Sequence, residues 1–560
     1  MMQGTNDRGF IKWLVVFTLV CAMIVAGRLW QLSVWKKVNN RDLVEYAEKN
    51  FGGSGITEAR RGTIYDANES PIAMDTTSYV MYAILQHDID TANIVKDPDR
   101  TARVLSQYID ATHDEILELL LTPEAREVQF RHISPISPET KKAIEQEDLP
   151  GIVLVSKTLR HYIDSVFASH LIGYAVPGED NFIQASVLEG QLGLEYAYDK
   201  VLNGSEMYTD RPDSTIISGR NLYLTLDSRL QNHLEVLMNE YQARYHPQAM
   251  NAYLVEAKTG KLLAASQRPS FNLNTRIGIS EQWRNLMIEE AYEPGSTIKT
   301  LTTAVAYDRG VFGVGEWFQS GSIEVYDQVV KDHNEVGWGT ITFEEGFARS
   351  SNVAMVNLVQ RMGSKQWADK LLEFGFGQST EFGLANETEG TLAFDNPVSE
   401  IMSGFGQGFS ATPIQLLQAF SAIVNQGKMM KVQVVNGIGA NHQYQPQVVG
   451  QPISEQAAQR VLQLMIDTVE QPYGTAQPFR NPNVRVAAKT GTAQIANPAG
   501  AGYLNGPDDY YHSAIIFFPA EQPQYMMYVS MKQPQNTGGR LGSQILGELF
   551  NRYLDTMMIN

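Results

Sequence analysis

One run of about twenty apolar residues near the N-terminus, with no second run of that length, sets the first constraint on this chain. From Trp13 to Gly27 every residue is apolar or small except Thr18, and past Arg28 the run resumes through Leu29, Trp30, Leu32, Val34 and Trp35. That length crosses one bilayer, Arg28 can snorkel to the headgroups, and Trp13, Trp30 and Trp35 sit where interfacial aromatics belong. No Ala-x-Ala-like cleavage site follows, so residues 13–35 are expected to be a retained anchor rather than a cleaved signal. Arg8 and Lys12 flank one side and Lys36, Lys37 and Arg41 the other, so charge alone does not orient it.

The rest of the 560 residues has to fold in water, and two to four domains suit that length. Apolar residues make up 43% and charged residues 19%, enough for packed cores. The formal charge of −18 argues against a general nucleic-acid binder, because phosphates call for Lys and Arg. The single cysteine, Cys21, lies in the apolar run. An internal disulfide, a cysteine nucleophile and a thiolate metal site are thereby excluded for the part outside the membrane.

Residues 36 to about 60 read as a polar helix ending in the break Gly52-Gly53-Ser54-Gly55. Arg61 to Asn68 reads as a short strand ending in turn chemistry, and Val80–Leu85 as another strand. Residues 94–150 look helical and 151–174 strand-like, and a turn-rich stretch runs from Pro177 to Gly193. Near residue 221 the character changes. A strand at 221–227 leads into a helix from about Ser228, and 252–265 reads as a hairpin around Lys258-Thr259-Gly260-Lys261. Helices follow from about 280 to 470, strands return at 484–488, 513–518 and 525–531, and a last helix covers about 542–557. Strands at both ends with helices between predict one sheet assembled from distant segments, beside a helical insert.

Three segments carry chemistry. In Glu293-Pro294-Gly295-Ser296-Thr297-Ile298-Lys299, Ser296 opens a helix and Lys299 lies one turn on, on the same face. A serine hydroxyl needs a nearby base, and a desolvated lysine can be one. Ser350-Ser351-Asn352 follows a capping-box spacing at Thr342–Glu345 and precedes a helix, so it sits at a helix junction. There Ser350 can relay a proton with Lys299, and Asn352 can hold a substrate amide. Lys489-Thr490-Gly491-Thr492 follows a buried strand. Lys489, Thr490 and Thr492 suit a carboxylate, and Gly491 lets another backbone approach. Alone, each segment reads more simply as a cap, a turn or a strand end. In this order they occur 54 residues apart from Ser296 to Ser350 and 137 apart from Asn352 to Lys489. The order and spacing match the signature S-x-x-K, S-x-N, K-T-G.

With these motifs the chain resembles the class B penicillin-binding proteins, most closely the septal enzymes of Gram-positive bacteria. Further motifs extend the likeness over roughly residues 28–530. Arg61-Gly62-Thr63-Ile64-Tyr65-Asp66 with Asn68 resembles R-G-x-I-x-D-x-N-G, with Glu69 where the final glycine is expected. Gly190 to Glu195, and Gly406-Gln407-Gly408 with Thr412-Pro413 and Gln415, resemble later motifs. The run from Gly337 to Gly346 leading into Arg349 looks septal.

The resemblance implies an α+β fold: a penicillin-binding transpeptidase domain over 221–560, with an antiparallel sheet faced by helices and a helical subdomain. Before it would stand an elongated non-catalytic module over 36–220, the anchor, and a cytoplasmic tail over 1–12, with the catalytic domain outside the cell. No wall-binding repeats are expected after the last helix, and no glycosyltransferase domain before residue 220. The implied substrates are peptidoglycan stem peptides ending in D-Ala-D-Ala, and β-lactams. A membrane glycan polymerase and division proteins are implied partners, and no metal or cofactor is needed. Ser296 would be the nucleophile, Lys299 its base, and the Ser296 and Thr492 N–H groups the oxyanion hole. An elongation-type transpeptidase, a membrane-bound serine β-lactamase, a D,D-carboxypeptidase and a β-lactam sensor are the rival readings. Against the β-lactamase, the closest Glu-x-x-x-Asn look-alike, Glu381 to Asn386, has the wrong spacing.

Overall fold

The structure is a computed structural model. It describes Trp13, residues 16–20, Met23, residues 37–38 and 41–42, and residues 60–559 apart from 87–92, 131–135, 178–187, 204–217 and a few single or paired positions. Of the expected anchor, the described residues are helical, and the remainder of 13–35 lies outside them. Among the described residues no helix is long and apolar enough to cross a membrane. The polar helix expected from residue 36 does not start there. Lys37–Val38 pairs antiparallel with Arg41–Asp42, and the rest of that stretch up to residue 59 lies outside the described residues. The chain divides into a body of residues 59–178 and 186–560 and a second part of residues 1–58 and 179–185. The body carries every chemical motif named above.

In the body, Ile64–Tyr65 turns back into the long strand Pro71–Ile84, which pairs along its length with Ile152–Tyr162. Asp66 makes the turn: its Oδ1 accepts from Asn68 N at 2.8 Å and Ser70 N at 2.7 Å. Glu69 takes the left-handed φ of +60° that the glycine of the related motif would adopt freely. Helices Pro98–Leu105, His113–Leu120 and Pro138–Gln146 pack a small core with Met81 and Ala83. The stretch read as helical also holds a strand, Glu127–Gln129, which continues the sheet. Leu222–Leu224 joins Ile64–Tyr65 in parallel and Val435–Ile438 lies on its other side, so one sheet draws strands from both sides of residue 221.

Beneath this sheet Arg61 Nε donates to Glu195 Oε2 at 2.6 Å and Arg160 Nε to Glu195 Oε1 at 2.7 Å, all three side chains shut away from water. Asp75 and Asp199 complete the cluster through Arg160 and Arg61. The early arginine motif and the Gly190–Glu195 motif are therefore two halves of one ionic core.

A second sheet has the order 262–268, 249–256, 525–532, 510–518, 487–494, antiparallel throughout. Its residues sort by period two. Met250, Ala252, Leu254, Ala514, Ile516, Met527 and Val529 face the helices Ser228–Tyr245 and Gly542–Ile559. Tyr253, Val255, Ala487, Ile515, Phe517, Met526 and Tyr528 face the opposite core, which holds the helices Lys299–Asp308, Asn352–Met362, Pro413–Val424 and Glu455–Glu470. Pro413–Val424 is buried on every side, capped by Thr412 with Gln415 answering. An antiparallel sheet beside a helical insert matches the expectation, but the strand expected at 221–227 belongs to the first sheet, and Lys489–Thr492 lies within the strand Ala487–Gln494 rather than after it. The short strands Trp317–Gln319, Ser322–Val325, Gln328–Lys331 and Thr340–Thr342 inside the insert were not foreseen.

Candidate active site

Pro294 and Gly295 lead into one 3-10 turn, Gly295–Thr297, and Lys299 then begins the helix Lys299–Asp308. Ser296 sits half-buried on that turn, and no side chain caps the helix. The turn is held from two sides. Gly295 N donates to Gly406 O at 3.0 Å, and a Cβ built on Gly295 would lie 3.1 Å from Thr492 O. The strand Ala487–Gln494 is the edge of its sheet and runs along the turn. Lys489 and Gly491 share the face of Ala487, toward the helical core.

Three sequence segments meet on Ser350. Lys299 Nζ donates to Ser350 O at 2.7 Å, Ser350 Oγ at 3.2 Å and Asn352 Oδ1 at 2.7 Å. Lys489 Nζ donates to Ser350 Oγ at 2.9 Å and to Thr490 O at 2.9 Å. Both lysine side chains are fully buried. Burial, then the charge of Lys489, hold the Lys299 amine well below the usual lysine value, with Asp332 opposing. Burial pushes Lys489 down to about 7.

The Asn352 amide, read as free to hold a substrate, has its Oδ1 on Lys299 and donates through Nδ2 to Lys331 O at 2.9 Å. The expected capping box before it is half realised. Thr342 Oγ1 accepts from Glu345 N, while the Glu345 carboxylate takes Arg349 Nε at 2.7 Å instead. Thr490 Oγ1 lies 3.1 Å from Thr475 Oγ1. Gly491 pairs with Ser513, and a Cβ there would fall 2.4 Å from Ser513 Oγ and 3.0 Å from Thr297 Cγ2. Thr492 is exposed at the edge.

Thr475 and Asp332 carried no readable signal. Thr475 reaches the third motif from the loop after a helix, and Asp332 stands at the end of one of the unforeseen strands. Glu293 takes Gly408 N at 2.8 Å and Tyr503 OH at 3.0 Å, tying the Ser296 turn to the Gly406–Gly408 motif. Among the described residues no group of three or more His, Cys, Asp and Glu is placed to hold a metal ion.

Two family models match the chain: the penicillin-binding protein transpeptidase domain over residues 250–554, and the penicillin-binding protein dimerisation domain over residues 56–212. This chain is a class B penicillin-binding protein. Stage V sporulation protein D of Bacillus subtilis is 28% identical to it over 98% of this chain and 86% of the relative. Peptidoglycan D,D-transpeptidase FtsI of Escherichia coli is 25% identical over 98% and 93%. The crystal structure of penicillin-binding protein 2X from Streptococcus thermophilus superposes with a TM-score of 0.70 at 31% identity, covering 90% of this chain and 79% of that one. This penicillin-binding protein is a serine-type peptidoglycan D,D-transpeptidase, and peptidoglycan peptides and β-lactams are its ligand classes.

Proposed function

We propose that Ser296 is the acylated residue and that Lys299, Ser350, Asn352 and Lys489 to Thr492 serve it. One observation carries the reading: two buried lysines from distant segments meet on one hydroxyl, Ser350 Oγ, beside the turn that presents Ser296. Lys299, kept neutral by burial and by Lys489, takes the Ser296 proton as Oγ attacks the penultimate D-Ala carbonyl. The tetrahedral oxyanion is received by the N–H groups of Ser296 and Thr492. The peptide C–N bond breaks, and the leaving D-Ala amine takes a proton relayed through Ser350. An amine of a neighbouring stem peptide then attacks the ester carbon, and Ser296 recovers its proton. Lys489 with Thr490 and Thr492 seats the terminal carboxylate, and Asn352 keeps a second N–H for a substrate carbonyl.

The setting belongs to the same proposal. Residues 13–35 anchor the chain, residues 1–12 stay in the cytoplasm, and the catalytic domain, begun near residue 221 after the 36–220 module, works outside the membrane. A glycan polymerase and division proteins are its partners. The run from Gly337 to Gly346 favours septal over elongation work, and a tagged protein accumulating at mid-cell is the expected result. The test of the chemistry is a fluorescent penicillin. Wild-type protein takes up one equivalent on the peptide containing Ser296 and keeps it for many minutes, and Ser296→Ala takes up none. Steady turnover of the drug would make the protein a β-lactamase, and normal labelling of Ser296→Ala would displace the nucleophile.

A further inference from the structure

We propose that Asp332 is a positioning residue for acyl transfer: its buried carboxylate ties the second motif into the turn that presents Ser350 to both lysines, and it sets a fixed negative charge beside Lys299. The inference rests on the reading of Lys299 as the base. Asp332 belongs to none of the three motifs and is 1% exposed. Its Oδ1 accepts from Ser351 Oγ at 2.7 Å and Val353 N at 3.1 Å, and its Oδ2 accepts from Gly321 N at 2.8 Å. The direction of these bonds is determined. Ser351 Oγ already accepts from Ala354 N at 3.0 Å, capping the helix Asn352–Met362, so its proton goes to Asp332. Three donors and no acceptor call for an acceptor-only carboxylate.

What this holds is an unfavourable backbone. Ser350 has a left-handed φ of +59°, a conformation most side chains avoid. That conformation places Ser350 Oγ between Lys299 and Lys489 and gives Ser350 O to Lys299. The bonds to Asp332 grip Ser351 and, two residues on, Val353. The residue before Asp332 adds the grip of Lys331 O on Asn352 Nδ2 at 2.9 Å. The hairpin Ser322–Val325 with Gln328–Lys331 thus works as a clamp on the second motif, and Asp332 is its closing contact.

The charge has its own effect. Burial and Lys489 push Lys299 toward the neutral amine, and Asp332 pulls the other way. The other charged or titratable groups facing this cluster are Lys489 from the sheet edge, His333 next in the chain, and Arg349 from the end of the helix Phe343–Ala348. Of these Asp332 alone is anionic, so it keeps the base from becoming too weak to take a proton.

The test measures acylation of the full-length protein by a fluorescent penicillin as a function of pH. Asp332→Asn is expected to lower the rate at neutral pH roughly ten- to hundredfold. It is also expected to move the rising limb of the pH profile to lower pH, because loss of the negative charge favours neutral Lys299. Ser351→Ala, which removes one bond and keeps the charge, should slow acylation less and leave the limb in place. Asp332→Glu should keep the limb and recover part of the rate. A folded Asp332→Asn with the wild-type rate overturns the proposal. So does one that is slow with an unmoved limb, since that reduces Asp332 to a support of the fold. If Asp332→Asn does not fold, wild-type rates in both Ser351→Ala and Asp332→Glu overturn it. Ser296→Ala in the same series keeps the two readings apart. Labelling of that variant defeats the nucleophile assignment, whereas its silence beside an unaffected Asp332→Asn defeats only the role of Asp332.

Discussion

Lys299 and Lys489 both donate to Ser350 Oγ, and two ammonium groups on one buried hydroxyl repel. The arrangement is comfortable only when one of them is neutral, and burial together with the charge of Lys489 holds Lys299 well below the usual lysine value. Acylation should therefore rise with pH through a limb below the ordinary lysine value of about 10.4, and so proceed at neutral pH. On the proposal that Lys489 seats the substrate carboxylate, its amine, pushed down to about 7 by burial, would regain its proton when that carboxylate docks beside it. Lys489→Ala should therefore slow reaction with carboxylate-bearing β-lactams and thioesters roughly ten- to hundredfold. An ester probe without a carboxylate should lose less, retaining only the disturbance to Ser350. Equal losses with both probes would remove the carboxylate seat from Lys489. Which lysine touches which oxygen was not legible in sequence, because the three motifs meet only through the fold.

At the scale of elements, the turn that carries Ser296 is wedged between a strand edge and a loop, and close backbone contact sets its position. Gly406 has a φ of +88°, and a Cβ there would fall 2.0 Å from Gly295 O. Gly406→Ala must therefore both strain its own backbone and push the Ser296 turn away. A loss of about 2 kcal/mol or more is expected in thermal or denaturant melts, together with at least about tenfold slower penicillin labelling. If the labelling rate survives, the turn tolerates displacement and its fit is not what matters. The Gly406-Gln407-Gly408 motif was noticed in the sequence only as a likeness, and the contact explains why glycine stands there. The hairpin that delivers Asp332 was missed altogether, since its two strands of four residues each give too little periodicity to separate from loop.

At the scale of the whole molecule, the ionic core around Glu195 ties together segments far apart in the chain: Glu195 is 134 residues from Arg61 and 35 from Arg160. Burial works against ionisation of Glu195, but Arg160 and Arg61 outweigh it and hold its carboxyl below the usual range. A depressed folded-state value means this contribution is present above the unfolded value of about 4.3 and is lost as pH falls through the folded one. Asp75 runs the other way, raised by burial against the pull of Arg160. Glu195→Gln leaves two guanidiniums without their shared counter-charge, so a loss of about 3–5 kcal/mol is expected at neutral pH. The gap between variant and wild type in melting experiments should narrow as the pH drops below about 4.3. A gap independent of pH would mean that packing, not charge, carries the cluster.

The sequence by itself determined the reaction class and the nucleophile candidate, because those rest on residue types at short spacings: a serine three residues before a lysine, a serine two before an asparagine, a lysine before a threonine and glycine. It also pointed to a sheet assembled from strands at both ends of the catalytic part with helices between them, since short apolar runs bounded by turn residues can be read one at a time. The tertiary structure alone decided what lies between those motifs. Only the fold brings Ser350 under both lysines, puts Asp332 behind Ser351, sets Gly406 against Gly295, and makes one sheet from strands on either side of residue 221. The physical reason is that each of these is a contact between segments tens to hundreds of residues apart. Local pattern records which face of an element is apolar, and it holds no information about which distant hydrogen-bonding group will stand opposite.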